Sequence, residues 1–378
     1  MKVFCYICND ELNLSNESIE HIIPNCIGGR LKSRKLICKN CNSRTGESLE
    51  AEIGKQMHFI ANLLMIKRER GEVPALKLRN DDTGEEILVN GGKPKFIKPT
   101  IKMIEDGKFS ISARDTKQAR EILNSFKRKH PDAEIDIDYH LKNYAVKSQY
   151  LNDMYGTSMN FGGQVMFKAM TKIAINYYLH CGFDKAKFEK ILLHFSETLP
   201  FQPRNISNYY YTNEIIIPKS NNDVLHSVIL VGNKKEGILY SYIELFNFFR
   251  CIVVLSVDYN GDDLKSEYYY DVLECKEVKK SCNLNLSKLQ ILDSLSTESN
   301  LYYHNMAGLN RELENIIGFA MERQRQELQS ELVEKTIKDV FGQKKYEKEA
   351  YITQEMIKEL ADKLSWEVVK FFFRINEP

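Results

Sequence analysis

Two C-x-x-C pairs, Cys5/Cys8 and Cys38/Cys41, hold the most specific chemistry in this 378-residue chain. Each pair sets two thiolates at the end of a tight turn, and two such turns meeting complete the tetrahedral shell that zinc prefers. A shell filled by four cysteines is closed, so the zinc is structural. In a unit of about 70 residues it supplies much of the folding free energy. Between the pairs run Glu20-His21-Ile22-Ile23-Pro24 and Gly28-Gly29-Arg30, and the second knuckle continues as Cys38-Lys39-Asn40-Cys41-Asn42. Taken singly, these residues have plain readings: a structural histidine or spare zinc ligand at His21, a solvated acid at Glu20, and a helix cap at Asn42.

Taken together, they resemble the HNH endonucleases. That family's pattern is an acid or histidine beside a histidine, an Ile-Ile-Pro-like tail, a glycine turn, and a C-x-x-C followed by Asn or His. The resemblance covers about residues 3–50. It implies the ββα-metal fold, a two-stranded hairpin and a helix clasping one divalent ion. By that resemblance His21 is the general base that deprotonates water, a task suited to an imidazole titrating near neutral pH. Glu20 and Asn42 would be the ligands of the catalytic ion, and their oxygens suit Mg²⁺ or Mn²⁺. The asparagine with which the family orients its histidine is replaced here by Ser33, so Asn25 and Ser33 are the candidates for that role.

The expected partner is DNA, with RNA as the alternative. A net charge of +1 gives no whole-chain field that gathers nucleic acid, so attraction must be local. Between Ile27 and Arg70 ten basic residues stand against four acidic ones. Arg30, Arg34, Lys35, Lys39 and Arg44 lie nearest the motif and are the expected phosphate contacts.

The elements that must position this motif follow from pattern. Residues 18–24 read as a short strand. From about Ser43 to Lys67 apolar residues recur every three or four positions, one helical face. A small α+β unit is expected over 73–150, with strands at 86–89, 109–112 and 134–137 and a helix from Thr116 to Lys129. Residues 151–378 read as a helical and β-rich region: a helix over about 163–198, strands over about 206–277 with Asn260-Gly261 as a hairpin turn, and charged helices after Tyr302. His180 and His194 read as core histidines, and Tyr209-Tyr210-Tyr211 as core or edge tyrosines. The fold class is therefore α+β, an N-terminal zinc-stabilised ββα-metal nuclease domain (1–72) followed by a larger α+β region ending in helices.

Nine cysteines, four of them in metal-like pairs, favour a reducing compartment, and no run of about 18 uncharged apolar residues suggests a membrane span. A cytoplasmic protein is expected. Its long C-terminal region suits a homo-oligomer or a regulatory partner, as in a nuclease restrained until needed for defence against phage or mobile DNA. The rival reading is a non-catalytic zinc module that binds nucleic acid or protein.

Overall fold

The glycine pair turns the chain for a steric reason. A Cβ on Gly29 would stand 1.9 Å from the Ile23 carbonyl oxygen, and Gly28 takes φ 89° as it closes the short 3₁₀ turn Asn25–Ile27. The turn brings β1 (Glu20–His21) antiparallel to β2 (Lys32–Ser33), with Glu20 opposite Ser33 and His21 opposite Lys32. Cys38 then caps α1 (Lys39–Thr45), its sulfur accepting from the Cys41 N–H. A π-helical turn (Gly46–Glu50) leads into α2 (Ala51–Leu63), whose Ile53, Met57 and Ile60 are buried.

This is a computed structural model, and it describes residues 2–105, 108–131, 134–145, 151, 153–185, 206–296, 298–341 and 352–375. The chain forms two compact units, each assembled from separated segments: Met1–Pro74 with Met159–Ala320, and Ala75–Ser158 with Met321–Pro378. These units differ from the consecutive divisions at 72 and 150 read from the sequence.

In the second unit, β3 (Leu76–Arg79), β4 (Glu86–Asn90) and β5 (Lys93–Phe96) form a three-stranded sheet, and β6 (Thr100–Glu105) pairs with β7 (Lys108–Ser112). Asp115 caps α3 (Thr116–Lys129) through the Gln118 N–H. The strand expected at 134–137 does not form among the described residues of that stretch. The Asp136 carboxylate accepts the Tyr139 N–H and starts α4 (Ile137–Lys142), so a local cap prevails over the β-branched pattern.

In the first unit, α5 (Gly163–His180) is buried along most of its length and packs on an antiparallel sheet. The strands are β8 (Ser207–Tyr209), β9 (Leu225–Asn233), β10 (Ile238–Leu245), β11 (Phe249–Ser256), β12 (Leu264–Asp271) and β13 (Lys276–Glu277), in the order β13-β12-β9-β10-β11-β8. Every residue of β10 is buried because both faces are covered. Val228, Leu230, Leu239 and Ile243 share one core with Ile22, Ile53, Met57 and α5, whereas Ile229, Tyr240 and Tyr242 pack with Ile291 of α6 (Lys288–Ser294).

The hairpin expected at Asn260-Gly261 is absent. β12 pairs with β9, from Leu264 opposite Gly232 to Asp271 opposite Leu225, so the 257–263 loop crosses the sheet instead of folding β12 onto β11. Tyr209 and Tyr211 are buried as expected, but His180 is exposed at the last position of α5. The rest of the helix expected to 198, including His194, lies outside the described residues. α7 (Ser299–Phe341) and α8 (Gln354–Phe373) supply the terminal helices. Among the described residues no helix is long and apolar enough to cross a membrane.

Candidate active site and zinc centre

The four motif cysteines meet. Their sulfurs all lie within 4.8 Å of one another, with Cys8 and Cys38 3.7 Å apart. A tetrahedron of zinc–sulfur bonds of about 2.3 Å requires sulfurs about 3.8 Å apart, so the residues fit zinc. Cys5, Cys38 and Cys41 are buried and Cys8 is exposed. The first knuckle is closed by Cys5 N–H to Asp10 O and Asn9 N–H to Cys5 O, with Asn9 left-handed at φ 64°.

On the hairpin, alternation sends neighbouring side chains to opposite faces. Glu20 is 1% exposed, and its Oε1 accepts from Lys172 Nζ at 2.6 Å and from Asn176 Nδ2 at 2.7 Å, both on α5. Lys172 also reaches Glu50 Oε1 at 2.8 Å. Burial pushes the Glu20 carboxyl upward against the pull of Lys172. Burial disfavours the Lys172 charge as well, but Glu20 and Glu50 together hold the ammonium above its ordinary range. Glu20 Oε2 is buried without a hydrogen-bond partner.

His21 stays partly open, at 20% side-chain exposure, with Nε2 2.9 Å from Glu69 Oε2. The other Glu69 oxygen accepts from Lys32, the cross-strand neighbour of His21. Hydrogen bonds from Lys32 and then from His21 hold the Glu69 carboxyl down to about 2. Asn42, in α1, donates its amide protons to Ser18 Oγ at 2.6 Å and Ile19 O at 3.2 Å, which leaves Oδ1 as its acceptor atom.

The unpartnered Glu20 Oε2 and Asn42 Oδ1 are oxygen donors of the kind that would hold a hard divalent ion at this end of the hairpin. Among the described residues the four cysteines are the one cluster of three or more acid, histidine or thiol ligands, so water would complete the shell. Mg²⁺ is commonly held in that way. Ser33 Oγ accepts the Lys35 N–H, whereas Asn25 clasps the 69–70 backbone, accepting from Glu69 N at 2.8 Å and donating to Arg70 O at 3.3 Å.

The basic residues divide. Arg34, Lys35, Lys39 and Arg44 are all exposed; Arg34 pairs with Glu17 at 3.1 Å, Lys39 donates to Ser15 O, and the half-buried Arg30 is turned to Lys67 O. Sequence reasoning passed over Glu69, Lys172 and Asn176. The last two did leave a faint signal: a lysine and an asparagine four residues apart, and so on one helical face, flanking the apolar run Ile173-Ala174-Ile175.

Residues 5–58 match the HNH endonuclease family. The protein therefore carries an N-terminal HNH domain, a match that supports a nuclease-type function in general, and nucleic acid is the substrate that such a domain implies. The match ends before Glu69 and well before Lys172. No curated protein and no solved structure matches the chain.

Proposed function

We propose that the HNH domain hydrolyses DNA phosphodiester bonds, with His21 as the general base and Glu20 and Asn42 holding a Mg²⁺ or Mn²⁺ ion. The observation that carries this reading is His21 itself. Within the HNH-matched segment it stands partly open on the hairpin, with Nε2 tethered to the Glu69 carboxylate. His21 takes a proton from a water whose oxygen bonds to phosphorus as the P–O3′ bond breaks, and solvent protonates the departing 3′ oxygen. The bound ion would supply positive charge for the phosphate and for that oxygen. Lys35 and Arg44 are exposed to meet the backbone phosphates, with Arg34 and Lys39 beside them. The large region after the domain supports a regulated enzyme, controlled by self-association or a partner and suited to cellular defence against phage or mobile DNA.

A second reading, a zinc module that binds without cutting, is favoured by the Lys172–Glu20 pair, because an ammonium already answers one oxygen of the carboxylate. Supercoiled plasmid incubated with folded wild type and His21→Ala, in Mg²⁺, Mn²⁺ or EDTA, separates the two. Metal-dependent nicking by the wild type alone is expected. Retention of the plasmid on the protein with no nicking in any metal would leave the binding module.

A further inference from the structure

We infer that Glu69, beyond the family-matched segment, is the positioning residue for His21: its carboxylate holds Nε2–H and leaves Nδ1 as the nitrogen that carries the lone pair. The role of that nitrogen in catalysis rests on the nuclease reading above, whereas the contact itself stands on geometry.

An ionised carboxylate only accepts hydrogen bonds, so the 2.9 Å contact between Glu69 Oε2 and His21 Nε2 places the ring proton on Nε2. Glu69 is itself located from two sides. Lys32, directly across the hairpin from His21 and on the same face, donates to Oε1. Asn25 fixes the backbone of Glu69 and Arg70 through both ends of its amide. The imidazole is thereby gripped by a carboxylate that the hairpin and the 3₁₀ turn jointly anchor. Ser33 lies opposite Glu20 in the hairpin, not opposite His21, and its Oγ accepts the Lys35 N–H, so orienting the histidine falls to an acid 36 residues further along the chain. Carboxylate partners of a functional histidine set its tautomer and ring orientation, and their loss typically costs about 10–100-fold in activity.

The test uses full-length, zinc-loaded wild type, Glu69→Ala, Glu69→Gln and His21→Ala. Glutamine keeps an acceptor oxygen at the same reach, whereas alanine removes it. The ring N–H proton of a neutral histidine gives a sharp NMR signal only when a hydrogen bond protects it from exchange. The signal missing from His21→Ala identifies His21. It should persist in Glu69→Gln and vanish in Glu69→Ala, with the melting temperature unchanged. Plasmid nicking should fall about 10–100-fold in kcat for Glu69→Ala with plasmid affinity retained, and recover to within a few-fold in Glu69→Gln. A ring proton that survives in Glu69→Ala, or nicking by that variant at the wild-type rate, would overturn the inference. If the wild type cuts nothing while the ring proton still depends on Glu69, the nuclease reading falls and the positioning of His21 stands.

Discussion

Lys172 Nζ stands 2.6 Å from Glu20 Oε1, so the acid of the Glu20-His21 dipeptide is tied to a helix more than 150 residues away in sequence. Both side chains are almost wholly buried, at 4% and 1% exposure. A buried pair of this kind contributes little net stability when intact, but removing one partner strands the other charge in a poorly polar interior.

Lys172→Met should therefore lower the unfolding free energy by about 3–5 kcal/mol in urea titrations. Adding Glu20→Gln should restore most of that loss, because Met and Gln leave no unpaired charge at Glu20. A single variant that loses less than about 1 kcal/mol would mean that water reaches the Glu20 carboxylate.

His226 ties the HNH segment to the sheet. Its Nε2–H donates to Ile27 O at 2.8 Å and its Nδ1 accepts the Phe246 N–H at 3.2 Å, so the fold needs the neutral ring. Burial depresses its pKa to about 4, below the unfolded value of about 6.5. A depressed folded pKa gives stability that is fully present above about 6.5 and is lost as pH falls toward 4. Wild type should lose about 3 kcal/mol across that window relative to His226→Gln, which lacks the titrating ring. Parallel pH dependence in the two proteins would show that the imidazole charges without cost.

The cysteine cluster predicts about one tightly held zinc per chain by elemental analysis. Cys38→Ser should release it, because serine can still cap α1 but removes one thiolate of the cluster, and protease should then cleave within the first 70 or so residues while the β9–β12 core stays protected. Full zinc retention in that variant would remove Cys38 from the shell.

Much of the HNH domain was legible in the sequence because its constraints are local. A C-x-x-C turn fixes two thiolates, Gly29 is demanded by the Ile23 carbonyl oxygen, and the apolar period of α2 marks its buried side. Where local signals competed, pattern reading failed. Asp136 capped a helix in a stretch that reads as a strand, and Asn260-Gly261 fell in a crossing loop because β12 found its partner in β9. Turn chemistry says that a chain bends but not which strand it returns to.

The sequence by itself determined the two cysteine pairs, the Glu20-His21 dipeptide and the helix that carries Asn42, since each is set by spacing over a few residues. Only the tertiary structure decided what those side chains meet: Lys172 and Asn176 on Glu20, Glu69 on His21, and His226 beneath the glycine turn. The reason is physical. Burial and ion pairing depend on which distant surfaces come together, and a carboxylate's neighbours 48 or 156 residues away leave no period in the chain that a local pattern could reveal.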